Sequence, residues 1–167
     1  MKQHLLSDLL DAEIADLSRI LSEDVTLGQS YVAKAALVLT LADGRRFELL
    51  TGQSITRLAL LSDTQSLFLG YETDPDEQLS LCDLTGELFD EPPALPLRVG
   101  QVTEVWAEEG QQAFLVALLV AESAGSLPGL NVCTESDEIE VMTHEQMQER
   151  LEKIELSYSG FTRHTYG

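Results

Sequence analysis

Leu5-Leu6-Ser7-Asp8-Leu9-Leu10-Asp11-Ala12-Glu13-Ile14-Ala15-Asp16-Leu17-Ser18-Arg19-Ile20-Leu21 is the stretch whose reading decides the fold class. Leu5, Leu6, Leu9, Leu10, Ile14, Leu17, Ile20 and Leu21 recur at helical spacing, while Lys2, Asp8, Asp11 and Arg19 largely fill the other face. The spacing predicts an amphipathic N-terminal helix. Its apolar stripe docks on a sheet or, as the sharper alternative, makes a homodimer through residues 5–21.

Strand signals follow. Tyr31–Leu41 is rich in β-formers, Ala42-Asp43-Gly44-Arg45 is a hairpin turn because an Asp-Gly step reaches φ > 0, and Arg46–Thr51 returns. Ile55–Leu61 and Leu67–Glu72 read as further strands. Residues 73–96 admit a helix capped at Asp74-Pro75-Asp76-Glu77 and ended by Gly86. The favoured reading there is a hairpin, Leu79–Asp83 and Glu87–Phe89, turning at Leu84-Thr85-Gly86. Pro92, Pro93 and Pro96 forbid regular structure and mark a loop, the candidate internal boundary near 91–96.

Leu97–Trp106 and Ala113–Glu122 form another antiparallel pair about Glu108-Glu109-Gly110-Gln111, and the second strand, apolar on both faces, belongs at a sheet centre. Leu130–Thr134 and Glu138–Met142 flank Glu135-Ser136-Asp137. Thr143 is an N-cap with Gln146 three residues on, opening a helix with Met147, Leu151 and Ile154 as its apolar stripe. The tail, Tyr158–Gly167, has no clear periodicity. The expected fold is α+β in a single domain over 1–167: an N-terminal helix, a mainly antiparallel sheet of about 7–9 strands and a C-terminal helix.

A length of 167 residues suits one domain with a sizeable core, and 44% hydrophobic residues argue against disorder. Charge is the outlier, at a formal −19. Residues 72–149 concentrate it, with eighteen acids against Arg98 alone. Such a field repels nucleic acid and anionic membrane and attracts basic surfaces. The plain alternative is a solvated surface that keeps the chain soluble.

Met1-Lys2-Gln3-His4-Leu5-Leu6 begins like a signal peptide, but Asp8, Asp11 and Glu13 interrupt the apolar run and no small-residue cleavage site follows. Ala113–Ala121 is far too short for a membrane helix. A cytoplasmic location with Cys82 and Cys133 reduced is the simplest account.

Motifs for chemistry are lacking. His144-Glu145-Gln146-Met147-Gln148 opens like a zinc-protease helix, yet Gln148 stands where the second His must be. Cys82 and Cys133 lack zinc-site spacing, and no Gly-rich phosphate loop, Gly-x-Ser-x-Gly or EF-hand spacing occurs. Pairs such as Asp76-Glu77 and Asp137-Glu138 arise by chance in so acidic a chain, and nothing sets their environments apart. The expectation is no catalytic residue, no metal and no cofactor.

Binding is better supported. Asn131–Val141 places Glu135, Asp137, Glu138 and Glu140 at a turn between apolar strands, a preorganised patch for Lys and Arg. Trp106 beside Glu104, Glu108 and Glu109 offers an aromatic anchor among carboxylates, with a buried core Trp as the plainer reading. The strand entry Gly100–Trp106, the acid-bearing strand pair Leu130–Val141 and the helix after it resemble bacterial immunity proteins, the inhibitors encoded beside polymorphic or contact-delivered toxins. The resemblance covers roughly residues 97–155. It implies an acidic face that occludes the active site of a basic toxin, commonly a nuclease.

The expected function is a cytoplasmic, non-enzymatic inhibitor of a basic protein partner. Its expected contact residues are Trp106, Glu108, Glu109, Glu135, Asp137, Glu138 and Glu140. A nucleic-acid mimic, a regulatory subunit associating through residues 5–21, and an enzyme built on Cys82 or Cys133 beside a His stay open.

Overall fold

The computed structural model describes residues 6–52, 55–61, 77–83, 93–136 and 138–167. The N-terminal helix is not formed. The chain makes one 3-10 turn, Leu6–Leu9, and then a twelve-residue strand, β1 (Glu13–Asp24). Asp11 lies between them at φ 65, a left-handed conformation that ends a helix and that Asp tolerates better than most residues. Its amide donates to the Val99 carbonyl at 2.8 Å, and that of Ala12 to Leu9 at 3.1 Å.

Beyond this corner β1 is paired on both edges. β2 (Gln29–Leu41) runs antiparallel along one side. On the other, β5 (Glu77–Asp83) pairs with Ser18–Asp24, and β6 (Leu97–Arg98) with Glu13 and Ile14. The helix-like spacing has a strand explanation. A bulge between Ile14 and Asp16 resets the in–out alternation, so Ile14 and Leu17, three residues apart, enter the same core. Ser18, Ile20 and Ser22 then fall on the opposite face. Leu17 through Ile20 are all buried, so a strand covered on both faces shows no period of two.

β3 (Arg46–Gly52) and β4 (Ile55–Leu61) complete the first sheet in the order β4-β3-β2-β1-β5, with β6 beside β1. The second sheet has the order β10-β9-β8-β7-β11. Its strands are β7 (Gln101–Glu109), β8 (Gln112–Ala121), β9 (Leu130–Cys133), β10 (Glu140–Met142) and β11 (Gly160–Tyr166). Leu17, Leu37, Leu39, Phe47 and Leu49 of the first sheet meet Val102, Leu115, Leu118, Val120, Leu130 and Val132 of the second in one core. Each such side chain contributes about 1.5–3 kcal/mol by leaving water.

The other face of the second sheet is covered by α1 (His144–Ser157), which lays Met147, Leu151 and Ile154 on Val105, Ala107, Val116, Leu119 and Cys133. The α+β expectation is thereby corrected. Among the described residues the protein is mostly β, two antiparallel sheets face to face with a single C-terminal helix outside the second. Leu9, Ile14, Leu17 and Ile20, the helix stripe of the sequence, are buried within the chain itself.

Local signals place the turns. Gly44 at φ 91 and the Asp43 carboxylate, accepting from the Arg45 amide at 3.0 Å, close the β2–β3 hairpin. Gly110 at φ 64 closes β7–β8, and β8 is central, as its two apolar faces predict. Thr143 and Gln146 form a reciprocal capping box on α1. β5 settles residues 77–83 as strand. The expected strand 67–72, the cap at Asp74-Pro75-Asp76, the turn 84–86, its return strand 87–89 and Pro92 lie outside the described residues, as does Asp137. The aperiodic tail is an edge strand, β11, whose residues Thr162–Thr165 are exposed.

A buried arginine joins the sheets. Between Ser18 and Ile20 the register with β2 slips, so that Ser18 faces Val38 and Ile20 faces Ala33. Arg19, 6% exposed, fills the slip. Its Nη1 donates to the carbonyls of Lys34 at 3.0 Å and Ala36 at 3.1 Å, and its Nη2 to that of Ile139. The Ile139 amide returns a bond to the Lys34 carbonyl at 2.7 Å. The acidic segment before β10 is thus pinned to the first sheet.

Candidate binding site

Three of the expected contact residues converge at one end of the second sheet, on the side of α1. Glu109 follows Ala107 on that face, Glu140 pairs across from Cys133, and Glu135 meets Tyr158, whose hydroxyl donates to Oε1 at 3.4 Å. The Arg150 guanidinium donates to Glu140 Oε2 at 2.7 Å and lies 3.8 Å from the Cys133 sulfur. Phe114 meets Tyr158 edge to face, with ring centroids 5.1 Å apart. Partial burial, reinforced by the charge of Glu135, holds the Tyr158 phenol above its usual range.

The others are placed apart. Trp106 is half-buried against the inter-sheet core, and its Nε1 donates to Glu104 Oε2 at 2.9 Å. It is a partly buried tryptophan with a buried carboxylate partner. Glu108 is exposed and lies over Gly160, where an added Cβ would come within 2.9 Å of the Glu108 Cβ. Glu138 is exposed, and its charge supports that of the Arg19 guanidinium, which burial opposes. The acids named from sequence therefore occupy both faces of the second sheet rather than one.

Glu145, Glu149 and Glu152 form an exposed acidic stripe along α1 that sequence reasoning passed over. Their spacing of four and three residues was the available signal. His144 has Nδ1 3.3 Å from Asn131 Oδ1. No group of three His, Cys, Asp or Glu suited to a metal occurs among the described residues, and no helix there is long and apolar enough to cross a membrane.

Two outcomes follow from these contacts. Trp106→Phe keeps the aromatic packing but leaves the 7%-exposed Glu104 without its indole donor, and is expected to cost about 1–2 kcal/mol in urea unfolding. Loss of less than a few tenths would show that water replaces the donor. Cys133 is a buried thiol whose pKa burial pushes above 9.0. The neutral thiol's contribution is fully present below the unfolded pKa and is lost as pH climbs from there toward the folded value. Unfolding midpoints measured from neutral to alkaline pH should fall more steeply for the wild type than for Cys133→Ala.

No protein-family model, no curated protein and no solved structure matches the chain.

Proposed function

We propose that the protein is a cytoplasmic inhibitor that binds a basic protein partner, in the manner of an immunity protein neutralising a toxin such as a nuclease. The observation that carries this reading is the concentration of eighteen acids against Arg98 alone in residues 72–149. Among the described residues of that stretch, Glu108, Glu109, Glu122, Glu138, Glu145 and Glu149 are exposed.

The segment that carries Glu138 is anchored at both ends. Thr134 Oγ1 donates to the Leu115 carbonyl at 2.6 Å, and Ile139 is tied to Lys34 and Arg19, so the segment bearing Glu135 and Glu138 is held at both ends. Carboxylates fixed in advance lose little freedom on meeting Lys or Arg, and a field of one sign speeds the encounter.

The test is association with a basic protein encoded beside this chain, should the neighbouring reading frame supply one, measured by stopped flow. The association rate should fall about tenfold or more as salt is raised from low ionic strength to about 0.5 M. A rate indifferent to salt would overturn the electrostatic mechanism, and an uninhibited partner would overturn the inhibitor.

A further inference from the structure

Asp43-Gly44 is the one Asp-Gly step in the chain, and no Asn-Gly step occurs. Such a step carries a chemistry of its own. Glycine has no side chain to crowd its nitrogen, so that nitrogen can attack the Cγ of the preceding aspartate. The new C–N bond closes a five-membered succinimide, the C–OH bond breaks, and water leaves with the proton that the nitrogen sheds. Water then reopens the ring at either carbonyl. One opening restores aspartate. The other leaves isoaspartate, in which the main chain runs through the side-chain carbon. The water lost and the water gained cancel, and nothing is oxidised or reduced.

Both reacting groups are engaged in the fold. The Gly44 amide, the nucleophile, donates to the Leu41 carbonyl at 3.0 Å. The Asp43 carboxylate gives both oxygens to Arg45. Oδ1 accepts from the Arg45 amide at 3.0 Å and Oδ2 from its Nε at 2.8 Å. The amide and the guanidinium of Arg45 hold the Asp43 carboxyl below the usual carboxylate range. The ionised form has no hydroxyl to lose as water, so it is the unreactive one. Burial is not the shield, because the Asp43 and Arg45 side chains are 53% and 46% exposed.

The product also conflicts with the hairpin. The Leu41 amide donates to the Arg45 carbonyl at 2.8 Å, and beyond it Thr40 pairs with Arg46 and Leu39 with Phe47. Isoaspartate adds one carbon to the main chain of the loop at 42–44. That extra length shifts the pairing of β2 with β3, whose Leu39 and Phe47 lie in the inter-sheet core.

We infer that Asp43-Gly44 is a site of aspartate isomerisation that the folded β2–β3 hairpin holds silent, with Arg45 as the clamp on the carboxylate. Reaction is confined to molecules whose hairpin has opened, and a modified chain closes it under strain.

The test follows isoaspartate at residue 43 in the full chain, folded and in urea, after incubation at neutral pH. Peptide mapping with electron-transfer fragmentation distinguishes the two isomers. The folded chain should react about tenfold or more slowly than the unfolded one, since opening must come first. Arg45→Ala should speed the folded reaction several-fold and leave the rate in urea nearly unchanged. Its melting temperature should stay in place, because an exposed ion pair adds little to stability.

Equal rates in the folded and unfolded chains overturn the protection. Absence of isoaspartate at 43 even in urea overturns the site. A folded Arg45→Ala chain that reacts no faster than the wild type overturns the clamp. So does an acceleration matched by faster exchange of the Leu41 and Gly44 amides, which would come from opening of the hairpin instead.

Discussion

Arg19→Met is expected to lower the unfolding free energy by about 3–5 kcal/mol, the largest effect of any polar substitution considered. A buried ion pair can often be exchanged for apolar side chains at little cost, because both charges leave together. Arg19 also donates to the carbonyls of Lys34, Ala36 and Ile139, which remain when the guanidinium goes. The Lys34 carbonyl keeps the Ile139 amide at 2.7 Å, and an acceptor left unpaired in the interior costs about 1–3 kcal/mol. Arg19→Lys should recover little, since one ammonium on a flexible stem cannot span carbonyls on three sides as a planar fork does. Urea midpoints measure the loss. Amide exchange should locate it, with protection falling first at residues 134–139. A loss below about 1 kcal/mol would mean that the sheets are held by their apolar core alone.

Gly100→Ala is expected to cost about 3 kcal/mol or more. Gly100 turns the chain from β6 into β7 and donates its amide to the Ala121 carbonyl at 2.9 Å. A Cβ there would overlap the Glu122 carbonyl oxygen and stand 2.6 Å from its carbon. Those atoms are main chain, so no rotamer change relieves the clash and the end of β8 must move. Trp106, on β7 and paired with Leu115 of β8, reports the change, and its emission should shift to the red before global unfolding. Gly28→Ala is the contrast. Nothing lies within 4 Å of the added carbon, and only the left-handed backbone at φ 64 is strained, a cost of about 1–2 kcal/mol. Equal losses in the two variants would refute the close approach at Gly100.

The hairpins and the terminal helix were legible because their signals are local. Asp43-Gly44, Gly110 and the Thr143–Gln146 box each act within four residues. The N-terminal segment was not, because a bulge at Ala15 gives a strand the three-residue spacing of a helix, and burial on both faces hides its alternation. The break of Leu97–Trp106 at Gly100 depends on Glu122, a contact no local pattern contains. β11 went unseen because an edge strand facing water carries no apolar period.

The candidate site was legible in part. Once β7 is a strand, Glu108 and Glu109 must point to opposite faces, and Trp106 must share a face with Glu104, the partner it takes. The meeting of Glu109, Glu135 and Glu140 beneath α1 rests on sheet order, and Arg19 looked like one more surface base.

β1 also governs how the molecule is reached in time. In the unfolded chain, residues 9–21 follow their own preference, and Leu, Ala, Glu and Arg favour transient helix there. β2, β5 and β6 all need that same segment extended, and β6 lies more than seventy residues away in the chain. Local preference and long-range pairing thus oppose each other at the one strand on which the first sheet is assembled. Refolding is expected to be slowed twice, by distant closure and by a nascent helix that must melt first. Trifluoroethanol at low concentration, which favours helix, should retard it further.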